Sequence, residues 1–283
     1  MTYFNTIIPV TELATHLNDP VWIIIDCRFD LVDTEAGRHA YKEAHIPGAR
    51  YAHLDEDLSS PITPHSGRHP LPDPTRLATQ LGAWGVDVSK QVVVYDAAGG
   101  AIAGRLWWLL RWLGHDAVAL LDGGLKSWQA ADLALTDKLP EITPAAFIPK
   151  QRDELYVTSK HVEQLHTDKH YRVVDARAPQ RFSGEVEPLD KVAGHIPGAI
   201  NMPWDNNVES NGTFRSRDAL RQMFEQQLGE IPPENVIHSC GSGVTACHNI
   251  IAMEYAGLPG AKLYPGSWSE WITDGKRPIE RSR

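Results

Sequence analysis

A five-residue string occurs twice in this chain: His45-Ile46-Pro47-Gly48-Ala49 returns 150 residues later as His195-Ile196-Pro197-Gly198-Ala199. Ahead of each copy stands an apolar run ending in Asp-x-Arg, Trp22 to Arg28 and Tyr171 to Arg177, with Asp26 and Asp175 149 residues apart. After each copy comes a second apolar run, Gln91 to Tyr95 or Asn235 to Ser239, and then a loop beginning at Asp96 or Cys240, 144 apart. Gly123 and Trp128 reappear as Gly266 and Trp271. A spacing of about 145 to 150 residues is too long for a solenoid unit and suits a whole domain. The 283 residues therefore read as two copies of one domain. The stretch from Thr136 to Leu155 carries Pro140, Pro144 and Pro149 without sustained periodicity, which marks a linker. The division falls between 1–149, with the linker from about 136, and 150–283.

Short Val/Ile-rich runs alternate with helical patterns in each half, the pattern of an α/β domain whose mainly parallel sheet is flanked by helices on both faces. Ile102, Leu106, Leu109, Leu110 and Leu113 form a helical stripe stopped by Gly114, and Val244, Cys247, Ile250, Ile251 and Tyr255 form one stopped by Gly257. A net charge of −9 without a long Lys/Arg run leaves no footprint for a phosphate backbone, so nucleic acid is not expected as a partner. The first twenty residues show no basic segment followed by an apolar run, and Val21 to Ile25 is too short to cross a bilayer. No membrane association and a cytoplasmic location are expected. Three cysteines, at 27, 240 and 247, without a Cys-x-x-Cys pair suit reduced thiols rather than a disulfide framework or zinc site.

The repeated features are read as structural because they occur in both halves, whereas a cysteine opens the loop in one half alone. A histidine before a Pro-Gly turn makes a local hydrogen bond. The Asp-x-Arg pairs at the strand ends read as internal ion pairs, Arg177 included. Tryptophans such as Trp107, Trp108, Trp268 and Trp271 read as core.

Chemistry concentrates in Cys240-Gly241-Ser242-Gly243-Val244-Thr245-Ala246, which joins a strand to a helix expected to begin at Val244. Parallel sheets bind ligands at that edge, and a helix start offers unpaired N–H groups. Two glycines let the loop amides turn inward as a nest that stabilises a thiolate, so Cys240 is expected to be a nucleophile near neutral pH. Cys27 matches Ala176 in the other copy and Cys247 lies on the helical stripe, so both are expected to be buried hydrophobes. A phosphatase of the C-x5-R type would have an arginine where Ala246 stands, and no histidine signature accompanies Cys240 as a protease-like site requires. A persulfide carrier needs only the cradle, whose amides stabilise the Cys-S-S⁻ anion.

This loop, with the doubled Asp-x-Arg, His-Ile-Pro-Gly-Ala and Gly…Trp features around it, resembles the tandem-domain rhodanese superfamily, and most closely its 3-mercaptopyruvate sulfurtransferases. The resemblance implies an inactive N-terminal domain, with Asp96 in the cysteine's place, and a catalytic C-terminal one. It implies transfer of sulfane sulfur from 3-mercaptopyruvate through a Cys240 persulfide to a thiol, cyanide or thioredoxin-like acceptor, with no metal or organic cofactor. Thiosulfate as donor and a protein-to-protein sulfur relay are the alternatives. Gly241 and Ser242 stand where thiosulfate enzymes usually carry cations, which favours mercaptopyruvate. By the same resemblance Arg181, in Arg181-Phe182-Ser183-Gly184, binds the donor carboxylate bidentately. The family's second such arginine falls near Asp190, so Lys191 is the candidate for its role. The amides of Gly241, Gly243, Val244 and Thr245 would hold the sulfur anion. A proton relay would join Ser242 to His69 and Asp55, with His65 competing with His69. The expected state is a monomer or weak oligomer.

Overall fold

The computed structural model describes residues 3–282, which cluster into two compact units. One unit holds the chain up to Ser60, Leu71–Arg152 and Glu209–Phe214; the other holds Pro61–Pro70, Asp153–Val208 and the chain from Arg215 onward. Each is an α/β unit on one parallel sheet. In the first, β1 (Ile7–Ile8), β2 (Trp22–Asp26), β3 (Arg50–Tyr51), β4 (Gln91–Tyr95) and β5 (Val118–Leu121) are ordered β1-β5-β4-β2-β3. In the second, β6 (Arg172–Asp175), β7 (Ile200–Asn201), β8 (Val236–Ser239) and β9 (Lys262–Leu263) are ordered β7-β6-β8-β9.

The central strands are β-branched because both of their faces are covered. Side chains alternate along a strand. Ile24, Val93, Ala119 and Leu121 therefore share one core with Val10, Leu13, Tyr41, Leu125 and Trp128. The opposite face of β4 and β5 is covered by helix Ala103–Trp112, whose stripe ends before Gly114, at φ +87°. In the second unit Val173 and Ile237 pack with Val162, Tyr264, Trp268 and Trp271. Helix Ala246–Tyr255 lies on β8 and β9 and ends before Gly257, at φ +79°.

The repeated motifs build the same clasp in both units. Arg28 Nε donates to both oxygens of Asp26 at 3.1 and 2.9 Å, and its Nη2 donates to the Ala44 carbonyl at 2.7 Å. Arg177 repeats this with Asp175, at 3.1 and 3.0 Å, and with the Gly194 carbonyl at 2.7 Å. The next residue in each case is the repeated histidine. Nδ1 of His45 lies 2.6 Å from the Tyr41 carbonyl and Nδ1 of His195 lies 2.7 Å from that of Phe182, so each carries its proton there. His45 exchanges two backbone hydrogen bonds with Thr136 and His195 exchanges two with Glu280, all of 2.9 Å. The histidines thus hold the closing segment of their own unit. Among the described residues no helix is long and apolar enough to cross a membrane.

Candidate active site

Cys240 follows the last residue of β8 and is 2% exposed. The backbone around it is gripped by the segment after β9. Cys240 N–H donates to Ser267 Oγ at 3.0 Å, its carbonyl accepts from Trp268 N–H at 3.0 Å, and the Gly241 carbonyl accepts from Ser269 N–H at 2.9 Å. Ser267 holds the left-handed region at φ +53°, uncommon for a residue with a Cβ, and its hydroxyl donates on to the Tyr264 carbonyl at 2.9 Å. Gly243 sits at φ +75°, where a Cβ would stand 2.2 Å from the Pro265 carbonyl oxygen, so no other residue fits there.

The Gly243 amide points at Cys240 Sγ, 3.2 Å away. The amides of Gly241, Ser242, Val244 and Thr245 make no hydrogen bond among the described residues. The helix begins at Ala246 rather than at the expected Val244. Val244 and Thr245 lie in the preceding turn because the loop has to curl round the sulfur, and this leaves their amides outside the helical ladder. The result is a loop with one N–H at the sulfur and four more without a protein acceptor, the composition of an anion-binding nest.

The equivalent loop of the first unit is filled from within. Asp96 Oδ1 accepts from the amides of Ala98 and Gly100 at 2.8 and 2.9 Å, and Oδ2 accepts from Ile102 and Ala103, both at 2.8 Å. The Asp96 carbonyl accepts from Leu125 N–H at 2.8 Å, the counterpart of the Trp268 contact.

Of the other two thiols, Cys247 donates to the Gly243 carbonyl at 3.4 Å and is buried. Cys27 is fully buried; burial first, then the charges of Asp26, Asp96 and Asp57, push its thiol well above the ordinary range. All three are free thiols. His238, two residues before Cys240, contacts Met253 Sδ through Nε2 at 3.0 Å, and burial drives its pKa down to about 3. It is a neutral core residue, not a base.

Segment Pro61–Pro70 brings in the histidine. Gly67 packs so tightly that a Cβ would stand 2.6 Å from the Gly266 carbonyl oxygen, and Arg68 N–H donates to Ser269 Oγ at 3.1 Å. His69 is thereby set with Nδ1 2.7 Å from Ser242 Oγ, both residues buried. His65 is exposed. Asp55 belongs to the first unit, exposed, with its amide donating to His53 Nδ1 at 3.2 Å.

Arg181 lies in helix Pro179–Ser183 and is held by two carboxylates. Its Nε and Nη2 donate to Glu187 Oε1 at 3.1 and 2.8 Å, and Nη2 reaches Asp190 Oδ2 at 3.2 Å. Burial raises the Glu187 pKa, but hydrogen bonds and charge from Arg181 with two backbone amides outweigh it and hold the carboxyl below its usual range. Asp190 Oδ1 accepts in turn from Arg68 Nη1. A Cβ on Gly241 would stand 2.8 Å from Arg68 Nη2 and 3.5 and 3.7 Å from Arg181 Nη2 and Nη1. Two guanidinium groups therefore overhang the residue after Cys240, and the sequence pointed to one. Lys191 is exposed and has no ion pair among the described residues. The signal for Arg68 was its place beside His69, which carries it wherever the histidine goes.

Ligand atoms of Glu35, His53 and Glu56 lie within 4.8 Å of one another. His53 Nδ1 accepts the amides of Asp55 and Glu56, which puts the proton on Nε2, 3.0 Å from the Thr34 carbonyl. That ring has no lone pair left for a metal.

The sequence matches the rhodanese-like domain twice, over residues 9–131 and 158–274. A protein of Pseudomonas aeruginosa named "Probable 3-mercaptopyruvate sulfurtransferase" is 47% identical over 95% of this chain and 95% of its own. One of Mycobacterium tuberculosis named "Putative thiosulfate sulfurtransferase SseB" is 37% identical over 98% of this chain and 97% of its own. The crystal structure of SseA from Escherichia coli, described among 3-mercaptopyruvate sulfotransferases, matches with a TM-score of 0.82 at 34% identity, covering 94% of this chain and 100% of that one. With a doubled parallel α/β unit, a cysteine in an open amide cradle and these relatives, the chain belongs to the rhodanese-like family as a tandem-domain sulfurtransferase.

Proposed function

We propose that this sulfurtransferase takes sulfane sulfur from 3-mercaptopyruvate through a persulfide on Cys240 and hands it to a thiol, cyanide or a thioredoxin-like protein. The observation that carries the reading is the open cradle: Cys240 meets one amide and four more loop amides await an acceptor. The Cys240 thiolate attacks the donor's sulfur, an S–S bond forms, and the C–S bond breaks with its electron pair passing to pyruvate enolate. The persulfide proton moves to the enolate carbon by way of Ser242 and His69, which leaves Cys-S-S⁻ and pyruvate. The amides of Gly241, Gly243, Val244 and Thr245 hold the outer sulfur anion. Cyanide or a thiol then takes that sulfur and restores the thiolate, so the cycle is redox-neutral. Arg181 anchors the donor carboxylate. Asp55 is the third member of the proposed relay.

Thiosulfate is the second reading, favoured by the name of the mycobacterial relative and by guanidinium groups that accept a sulfonate as well as a carboxylate. Three cysteines outside any disulfide suit a reducing compartment such as the cytoplasm, and the protein acts as a monomer or weak oligomer.

Initial rates of sulfur transfer to cyanide, with each donor and with wild type and Cys240→Ser, test this. Mercaptopyruvate is expected to give the higher kcat/KM, and the variant to lose turnover and the one-sulfur mass gain on Cys240. A variant that still turns over overturns the mechanism; a wild type that prefers thiosulfate overturns the donor.

A further inference from the structure

We propose that the first unit carries a ligand site of its own, at the end of its sheet away from the Asp96 loop, where Arg50 and Lys90 hold a small oxyanion of the phosphate or sulfate type. Both side chains line a cavity of about 280 Å³ beside Trp22, the first residue of β2. Lys90 stands directly before β4. Sulfur transfer makes no use of this end of the sheet.

Each cation is held by backbone carbonyls alone. Arg50 Nε donates to the Trp84 carbonyl at 3.0 Å and Nη1 to that of Gly48 at 2.7 Å, while Lys90 Nζ donates to the Pro20 carbonyl at 2.8 Å. Among the described residues neither forms an ion pair, and Arg50 Nη2 makes no hydrogen bond. Nη2 faces the cavity wall at Gly85, where a Cβ would stand 3.8 Å from it. Arg50 is half-buried, and burial pulls its pKa down with no carboxylate to reverse the shift; at Arg28 burial acts in the same direction but Asp26 outweighs it. A guanidinium taken partly out of water without a counter-charge is a cost that an anion in the cavity removes.

Two carboxylates border the cavity without supplying that charge. Asp19 Oδ1 accepts the Val21 amide at 2.9 Å and Oδ2 lies 3.6 Å from His16 Nδ1, and Glu141 is exposed. The cavity therefore selects by directed donors rather than by excess positive charge. A tetrahedral oxyanion presents oxygens to a guanidinium edge and an ammonium together.

The repeat isolates the feature. Arg50 pairs with Ile25 across β3 and β2, and Ile200 pairs with Val174 across β7 and β6, so Ile200 is the counterpart of Arg50. Aligning Gln91 to Tyr95 with Asn235 to Ser239 sets Glu234 against Lys90. The second unit builds the same clasp and the same parallel pairing with an apolar residue and an acid at these positions, so the fold does not require the two cations.

Trp22 borders the cavity, and its indole N–H is the reporter. Titration of isotope-labelled protein with inorganic phosphate, at constant ionic strength against chloride, is expected to move that indole resonance, assigned by its loss in Trp22→Phe, along a saturating curve. Lys90→Gln is expected to weaken binding about 5- to 20-fold, the loss of one charge-assisted contact, and to leave sulfur transfer unchanged. Arg50→Lys is expected to weaken it as well, and Arg50→Ile, the residue of the other copy, to abolish it. A shift that never saturates, one that chloride reproduces, binding that leaves the Trp22 signal in place, or an affinity that Lys90→Gln does not alter would each overturn the proposal; the last of these does not depend on whether Arg50→Ile folds. Glycerol phosphate is titrated alongside: tighter binding than the free ion assigns the remaining space to an esterified phosphate, and weaker binding assigns the site to the free ion, with the dependence on Lys90 expected in both cases.

Discussion

In the loop after β4, four backbone amides converge on the Asp96 carboxylate; in the loop after β8, Cys240 Sγ receives one amide and four others are unspent. The scaffold around them is shared: Leu125 and Trp268 make equivalent backbone contacts, and each loop closes on a glycine with positive φ. What differs is the source of the anion. The first loop carries its own carboxylate and is complete; its helix begins seven residues after Asp96, the other six after Cys240. A strand-to-helix turn makes an anion site by default. The resident side chain decides whether that site is structure or chemistry.

Transplanting the resident is the hardest test of this contrast. Cys240→Asp is expected to lower sulfur transfer by at least about 10⁴-fold, since no nucleophilic sulfur remains, and to raise resistance to urea by about 1 to 2 kcal/mol as the open amides gain a charged acceptor. A less stable variant would break the comparison, because it would mean those amides do not converge. In the opposite direction, Asp96→Ala orphans four amides, two of them buried, and is expected to cost about 2 to 4 kcal/mol in urea unfolding, with Cys240→Ala costing under about 1 kcal/mol. Equal losses would show that the two loops are not filled differently.

The smallest effect concerns the strands beneath the loops, where β4 has Val94 and β8 has His238. The folded His238 pKa of about 3 lies below its ordinary 6.5, so below that pH the unfolded chain binds a proton that the folded chain refuses. Its contribution is therefore fully present above pH 6.5 and is lost progressively as pH falls towards 3, by at most about 1.4 kcal/mol per pH unit. Thermal unfolding of His238→Leu between pH 7 and pH 4 is expected to show a flatter slope than wild type.

Features encoded over a few neighbouring residues were legible in the sequence. The β-branched runs announced β2, β4, β6 and β8 within one or two residues, and the repeat identified His45, His195 and the Asp-x-Arg pairs as structural clasps. Cys240 stood out because one copy of the loop has glycines and a thiol. Asp96 could be aligned with Cys240, but that its carboxylate would collect four amides depends on backbone torsions that no residue pattern displays. Arg68 was missed because its partner, Asp190, lies 122 residues away and adjacency favoured Lys191. Ion pairs of that separation are set by how loops fold back, and a local reading assigns charge to the nearest neighbour.

The two short segments that change units also bear on how the protein can be dissected. Pro61–Pro70 clusters with the second unit and Glu209–Phe214 with the first, where Phe214 N–H donates to Asp122 Oδ1 at 2.8 Å. A cut in the stretch between the repeats would sever both exchanges at once. The cysteine-bearing fragment would keep its sheet and its thiol but lose Arg68 and His69, and the other fragment would be left with an unmet carboxylate. The two compact units follow the path of the contacts rather than the order of the chain, so a single cut reproduces neither.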